Sequence, residues 1–163
     1  MNRLSMPTAS LVLPDAPSTE AVGARLGSAL RGGMVIALSG ELGAGKTTLV
    51  RGCLRALGWN GAVKSPTYML VEQYPLSSLY FFHFDFYRFA DPSEWETAGL
   101  ADCFRDDSIC VVEWPERVAG LIPPPDLQLT LSHPDDPGLD GRHLALGART
   151  RNGERCLIAI AAS

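Results

Sequence analysis

The segment Gly40–Thr47 constrains this chain more than any other part of its sequence. It reads Gly-Glu-Leu-Gly-Ala-Gly-Lys-Thr and matches the pattern G-x-x-x-x-G-K-[ST] in full. The apolar run Met34–Leu38 precedes it and is typical of a strand buried on both faces of a parallel sheet. A helical pattern follows from Lys46 to about Leu57 and ends at Gly58. A strand, a glycine-rich turn and a helix in this order predict a phosphate-binding loop, hereafter the P-loop.

Each residue type in the P-loop suits a specific task. Glycines let the backbone curl so that successive N–H groups face phosphate oxygens. Lys46 is a mobile point charge for the β- and γ-phosphates, and the Thr47 hydroxyl is a hard oxygen ligand for Mg²⁺. We therefore expect a bound nucleoside triphosphate, whose base this loop does not encode. The expected nucleotide-binding residues are Glu41, Leu42, Gly43, Ala44, Gly45, Lys46, Thr47 and Thr48.

Two acidic residues each follow an apolar run and are candidates for a second Mg²⁺ anchor. Asp85 ends the run Leu79–Asp85, and Glu113 ends the run Ile109–Glu113. An acid at the carboxyl end of a parallel strand lies where open α/β sheets bind ligands. The second run is more typical of a central parallel strand, so we favour Glu113 for the metal or its water. Asp85 then serves either the metal or the attacking water, and a surface acid at a strand end is the alternative for both.

The loop after the P-loop helix contains Ser65-Pro66-Thr67-Tyr68. A mobile segment at that place can reach the γ-phosphate, as switch segments do, and Thr67 would supply a hydroxyl there. A plain proline turn is the alternative interpretation. Arg88 either contacts phosphate or pairs with an acid, and pairing is the commoner role for arginine beside acids. Trp114, next to Glu113, is interpreted as a packing residue in preference to a recognition residue.

The remaining patterns predict an α/β fold with three layers, in which helices flank a mixed, mainly parallel sheet with an antiparallel portion. The antiparallel portion includes a hairpin of Tyr68–Tyr74 and Leu79–Phe86 and a strand pair of 126–132 and 142–148. Ser18 or Thr19 is a candidate cap for a helix ending near Leu30, and Asp91-Pro92-Ser93-Glu94 predicts another helix start. The tail 154–162 is compatible with a strand or a short helix. We expect residues 1–163 to form a single domain.

Composition excludes several classes of protein. The net charge of −4 argues against non-specific binding of nucleic acid, so we expect no DNA partner. No run approaches 18 apolar residues, so we expect neither a membrane span nor a membrane partner, and we expect the cytoplasm. The four cysteines lack C-x-x-C spacing, which argues against a zinc site or a redox pair. Charge is unevenly distributed along the chain, because 91–116 holds eight acids and 142–155 holds four arginines. We interpret these segments as two solvated faces, and a patch that docks a partner is the alternative.

Four segments occur together in an order that resembles one family. They are Gly40–Thr48, Ser65–Tyr68, His83-Phe84-Asp85-Phe86-Tyr87-Arg88 and Val112-Glu113-Trp114-Pro115-Glu116. This combination is similar to the bacterial TsaE (YjeE) family of small P-loop ATPases over about 11–149. Ser65 departs from the commonest pattern, in which His stands at that position.

The resemblance implies a P-loop NTPase fold and a weak Mg²⁺-dependent ATPase. It also implies work with the TsaB and TsaD proteins in forming N6-threonylcarbamoyladenosine in tRNA, which is reached indirectly through that complex. By this likeness Lys46 binds phosphate, Thr47 and Glu113 hold Mg²⁺, and Asp85 and Thr67 form the catalytic or switch side. A small-molecule kinase is the alternative, although the acidic 91–116 segment suits a phosphate-covering lid poorly. A nucleotide-binding regulatory module without hydrolysis is a third.

Overall fold

Seven strands form one sheet within residues 6–91 and 93–162, the part of the chain that the computed structural model describes. In chain order they are β1 (Thr8–Leu13), β2 (Val35–Gly40), β3 (Val71–Pro75), β4 (Tyr80–Asp85), β5 (Ser108–Glu113), β6 (Leu127–Ser132) and β7 (Arg142–Ala148). The helices are α1 (Ala16–Ala29), α2 (Lys46–Ala56), α3 (Ser93–Thr97) and α4 (Arg151–Ala161), with 3₁₀ segments at Leu100–Cys103 and Pro115–Val118.

The strand order across the sheet is β1-β7-β6-β2-β5-β4-β3. The strands β6, β2, β5 and β4 are parallel to one another, whereas β7, β1 and β3 each pair in the antiparallel sense with their neighbours. Five strands therefore run in one direction, which confirms the predicted mixed, mainly parallel sheet. The predicted hairpin is β3–β4, and the predicted strand pair is β6–β7. The carboxyl ends of β2, β4, β5 and β6 meet at one edge of the sheet.

The two faces of the sheet carry different cores, because side chains alternate along each strand. On one face, α1, α2 and α4 pack over aliphatic side chains that include Ile36, Leu38, Ile109 and Leu129. On the other face, α3 and the 3₁₀ segments cover an aromatic cluster, which includes Phe82, Phe84, Phe86, Phe89 and Trp95. The two covered faces make the predicted three layers.

The helix that follows the P-loop is braced by a close crossing with α1. A Cβ on Gly23 would overlap the carbonyl oxygen of Leu49, and a Cβ on Gly52 would overlap the carbonyl oxygen of Glu20. Glycine at these positions lets the two helix backbones approach until a side chain no longer fits between them. The position of α2 is therefore set by α1 as well as by the sheet.

Several local predictions need correction or refinement. The cap of α1 is Asp15 and not Ser18 or Thr19, because an Asp15 Oδ1 accepts from the Ser18 N–H at 2.9 Å. The tail forms α4, capped by Thr150, whose hydroxyl accepts from the Gly153 N–H at 3.1 Å. The first hairpin strand begins at Val71 and not at Tyr68, because Thr67–Leu70 is a turn.

The predicted helix start at 91–94 is partly described. Asp91 Oδ1 accepts from the Ser93 N–H at 2.9 Å, and α3 begins at Ser93, whereas Pro92 lies outside the described residues. All four cysteines are free thiols, and burial raises the pKa of the Cys156 thiol to about 11. No helix among the described residues combines the length and apolarity that crossing a bilayer requires.

Candidate functional site

The P-loop connects the end of β2 to the start of α2 at the sheet edge where parallel strands end. Gly43 (φ 81°) and Gly45 (φ 104°) adopt left-handed backbone conformations that favour glycine. The carbonyl of Gly45 accepts from the Leu49 N–H at 3.0 Å and so starts the helix. The N–H groups of the first helical turn have no carbonyl partner within the helix, and the helix dipole adds positive potential there. Left-handed glycines before a helix N-terminus are the features through which such loops bind anions.

Lys46 is the first residue of α2, and its ammonium group lies against the carboxyl end of β5. The Nζ atom donates to the Gly40 carbonyl oxygen at 2.6 Å and lies 3.0 Å from Glu113 Oε1. The P-loop and the strand-end acid predicted from separate parts of the sequence are thus in direct contact.

Glu113 has a second partner, His83, on the neighbouring strand β4. The His83 Nε2 lies 2.6 Å from Glu113 Oε2, and both residues are buried. Burial raises the pKa of the Glu113 carboxyl, but the hydrogen bond and charge of His83 and the ammonium of Lys46 outweigh it and hold that pKa below its ordinary value of 4.5. Glu113 is therefore a carboxylate at neutral pH, and His83 Nε2 is the donor in this pair.

Asp85 lies beside Glu113, because β4 and β5 are parallel and these two residues are register partners. Its side chain is buried, and its Oδ1 accepts from the Tyr87 N–H at 3.0 Å. Its backbone N–H donates to the Leu70 carbonyl at 2.9 Å. Asp85 thus joins the end of β4 to the end of the Thr67–Leu70 turn.

The predicted switch segment forms a turn on Pro66, whose carbonyl accepts from the N–H groups of Met69 and Leu70. The Thr67 hydroxyl contacts the Ser65 hydroxyl at 2.7 Å and does not bond to the P-loop or to the strand-end acids among the described residues. Tyr68 and Met69 are exposed by 79% and 68%, which leaves the tip of the turn free to make contacts. The structure therefore brings Lys46 and Glu113 into contact and places Asp85 next to Glu113 by strand register. Thr67 lies in a separate turn linked to Asp85.

Arg88 lies over the Tyr68 ring at 4.8 Å from its centroid, instead of pairing with an acid among the described residues. Trp114 follows Glu113 in a left-handed conformation (φ 57°), which is uncommon for a bulky residue. Its ring packs at 5.1 Å from the Tyr87 ring and also lines a cavity of about 420 Å³ that reaches Lys46. Trp114 is thus both a packing residue and part of the wall of the site.

The oxygen donors at this edge fit Mg²⁺ by their chemistry. Mg²⁺ prefers hard oxygen ligands and is commonly held by one or two side chains plus phosphate oxygens. Thr47, in the first turn of α2, offers a hydroxyl, and Glu113 offers a buried carboxylate next to Lys46. The described residues contain no group of three or more His, Cys, Asp or Glu side chains arranged for a metal ion. The donor set therefore suits an ion shared with a phosphate ligand.

Two residues at this site are not among the predicted site residues. His83 interrupts the aromatic run of β4 and lies two residues before Asp85, so strand alternation puts both side chains on one face. This spacing could have identified His83 as a neighbour of the strand-end acids. Arg142 was visible only as part of a basic stretch. Its side chain donates to the carbonyls of Gly43 and Ala44 in the P-loop, a contact across nearly 100 residues that no local pattern encodes.

The comparisons with known proteins agree on one family. The family model "Threonylcarbamoyl adenosine biosynthesis protein TsaE" matches residues 13–143. The tRNA threonylcarbamoyladenosine biosynthesis protein TsaE of Haemophilus influenzae is 44% identical over 127 residues, which cover 78% of each chain. The protein of the same name from Bacillus subtilis is 33% identical, over 80% of this chain and 82% of that one.

A solved structure supports the fold. The crystal structure of YdiB from Bacillus subtilis superposes with a TM-score of 0.76 over 96% of this chain and 95% of that chain, at 24% identity. At that identity the likeness concerns the fold, which has the strand–P-loop–helix arrangement described above. From the match to the family model and the identities with the two relatives, we conclude that this chain belongs to the TsaE family of threonylcarbamoyladenosine biosynthesis proteins.

Proposed function

We propose that this protein binds ATP with Mg²⁺ and hydrolyses it for the threonylcarbamoyladenosine modification of tRNA, together with TsaB and TsaD. The observation that carries the ATPase proposal is the contact between Lys46 in the P-loop and the buried Glu113 carboxylate at the adjacent strand end, 3.0 Å apart. Family membership supports the role in tRNA modification. The protein would contact tRNA only indirectly, through the complex. We propose that it works in the cytoplasm, where tRNA is present.

In this proposal the chain supplies positioning and charge. The P-loop residues 41–48 bind the phosphates through backbone N–H groups, and Lys46 exchanges its contacts with Gly40 and Glu113 for phosphate oxygens. Glu113 and the Thr47 hydroxyl would hold Mg²⁺, which when bound neutralises charge on the phosphoryl oxygens. Asp85, whose carboxylate accepts from the Tyr87 N–H, would orient a water for in-line attack on the γ-phosphate.

Hydrolysis by the isolated protein is expected to be slow. Arg88 stacks on Tyr68 and Arg117 stacks on Trp114, so a move of either guanidinium to a phosphate would break an aromatic contact. The turn that carries Thr67 makes its hydroxyl contact with Ser65 and exposes Tyr68. A partner that orders this turn would bring Thr67 or an arginine toward the γ-phosphate and raise the rate.

The test is an ATPase assay of the purified protein with and without the TsaB–TsaD pair. Stimulation by the pair supports the proposal, and equal turnover with and without it contradicts the coupling. Transfer of phosphate to an added metabolite would indicate a kinase instead, and nucleotide binding without hydrolysis in either condition would indicate a regulatory module. The kinase is disfavoured because the helical part of the acidic segment, 93–103, packs against the sheet with Trp95 and Leu100 buried, which suits a lid over phosphates poorly.

A further inference from the structure

The side chain of Arg142, the first residue of β7, hydrogen-bonds to backbone carbonyls of the P-loop. Its Nε donates to the Ala44 carbonyl at 3.2 Å, and its Nη2 donates to the Gly43 carbonyl at 3.1 Å. Its third donor, Nη1, is hydrogen-bonded to the carbonyl of the preceding residue, Gly141. All three polar atoms of the guanidinium thus meet backbone carbonyls, and two of those carbonyls belong to the P-loop.

The backbone around Arg142 is itself fixed. Residue 142 is the register partner of Leu13 on the edge strand β1, which anchors the start of β7. Gly141 has a left-handed conformation (φ 97°), and a Cβ there would come within 2.5 Å of the Leu13 carbonyl oxygen. The backbone that carries the Arg142 side chain is therefore fixed by strand pairing and by the close approach of Gly141 to Leu13.

We propose that Arg142 is a positioning residue that fixes the two P-loop peptides it contacts, so that the Gly45 N–H faces the phosphate site and the turn before it keeps its shape. This proposal rests on the proposed function, because it assigns a role in nucleotide binding at that same site. In a planar trans peptide the C=O and the following N–H point in opposite directions. A guanidinium on the Ala44 carbonyl therefore turns the N–H of Gly45 away from Arg142, toward the inside of the loop.

The preceding peptide is held at both ends. Arg142 binds the Gly43 carbonyl, while the N–H of Ala44, in the same peptide, donates to the Glu41 carbonyl at 3.0 Å. Without the cation, the two carbonyls would turn to water, and only the hydrogen bond from Ala44 to Glu41 would oppose a flip of the peptides next to the two left-handed glycines. The planar fork of arginine suits this task because it reaches two carbonyls at once, whereas a lysine offers a single point charge.

The test compares Arg142→Ala and Arg142→Lys with Arg149→Ala, a matched control. Arg149 is an exposed arginine at the other end of β7, and its guanidinium donates to the Gln128 side chain away from the P-loop. Calorimetric titration with Mg²⁺ and a non-hydrolysable ATP analogue should show that Arg142→Ala raises the Kd by roughly tenfold or more, the size expected for losing a charge-assisted hydrogen bond. Arg142→Lys should be intermediate, and Arg149→Ala should match the wild type.

A second ligand separates positioning of the P-loop from direct contact with the nucleoside. Inorganic tripolyphosphate has no base or sugar, so a residue that orients the phosphate-binding amides should affect tripolyphosphate and the ATP analogue by the same factor. A loss of affinity confined to the ATP analogue would overturn the proposal, since it would place Arg142 on the nucleoside. Unchanged affinity for both ligands in Arg142→Ala would also overturn it.

Amide hydrogen exchange in the nucleotide-free protein tests the tether without any ligand. The Ala44 N–H, which is hydrogen-bonded to Glu41, should exchange at least several-fold faster in Arg142→Ala than in the wild type, with global exchange and thermal unfolding unchanged. Equal exchange rates would overturn the proposal. If the wild type bound no nucleotide, the proposed function would fail, and this exchange comparison would still decide whether Arg142 orders the loop. If Arg142→Ala did not fold, Arg142→Lys would serve in every measurement.

Discussion

The P-loop is held from two sides by contacts of opposite character. On the inner side, Lys46 of the loop is bound by the buried Glu113, which His83 also holds. On the outer side, Arg142 binds the loop carbonyls at the protein surface. Under the proposed function Lys46 would bind phosphate oxygens, so its contact with Glu113 would have to break when the nucleotide binds. Under the proposed function the outer contact would persist when phosphate binds, so binding would break one of the two contacts and keep the other.

The largest expected effect comes from removing the ammonium group of the inner contact. Lys46→Ala should lower ATP hydrolysis by roughly 100-fold or more, because no other side chain on the loop carries positive charge toward the phosphates. The fold should survive, since Glu113 keeps its hydrogen bond to His83. Steady-state ATPase rates and thermal unfolding measure the two quantities. Hydrolysis at the wild-type rate would remove Lys46 from the catalytic machinery.

The second effect concerns the acid of the inner contact. Glu113→Gln should lower Mg²⁺-dependent hydrolysis by roughly 10- to 100-fold, while nucleotide affinity falls less, because under the proposed function the carboxylate would hold Mg²⁺ and not the nucleotide itself. Comparing the ATPase rate with the Kd for the ATP analogue measures this ranking, and the exposed Glu96→Gln is the control. A larger loss of affinity than of rate would take Glu113 away from the metal site.

The third effect concerns α2, the helix that follows the P-loop. Gly52→Ala should destabilise the protein by about 1–3 kcal/mol, because the new Cβ overlaps the Glu20 carbonyl at the crossing of α1 and α2. Gly147→Ala is the matched control, since a Cβ on Gly147 meets no atom within 4 Å. Urea unfolding measures both free energies. Equal stability of the two variants would show that α2 is not braced by this crossing.

The smallest effect is a pH dependence of the inner contact. The pKa of Glu113 is lowered in the folded protein, so its contribution to stability is fully present above the ordinary value of 4.5 and is lost as the pH falls through the folded value. The urea midpoint of the wild type should therefore fall toward that of Glu113→Gln on acidification below pH 4.5. A constant difference between the two midpoints across this range would contradict the pairing of Glu113 with His83 and Lys46.

Local chain chemistry explains which parts of the fold and site were predictable. The P-loop, the buried strand β2 and the helix α2 are adjacent in sequence, and their residue types act over a few residues, so the pattern alone identifies them. The acids at the ends of β4 and β5 were also predictable, because parallel strands bring their carboxyl ends to one edge. The cap of α1 was missed because Asp15, Ser18 and Thr19 all have capping chemistry and only the path of the entering chain selects among them. The roles assigned to Asp85, Thr67 and Glu113, and the single domain, stay predictions.

The sequence by itself determined that this chain has a P-loop, a mixed sheet around it and two strand-end acids, because each of these is encoded by short-range spacing and side-chain alternation. Only the tertiary structure decided the partners of those groups: His83 and Lys46 on Glu113, and Arg142 on the carbonyls of Gly43 and Ala44. These contacts join residues from 30 to about 100 positions apart. Their pairing depends on strand order and register, which are set by how the two apolar faces of the sheet are covered and not by any local pattern.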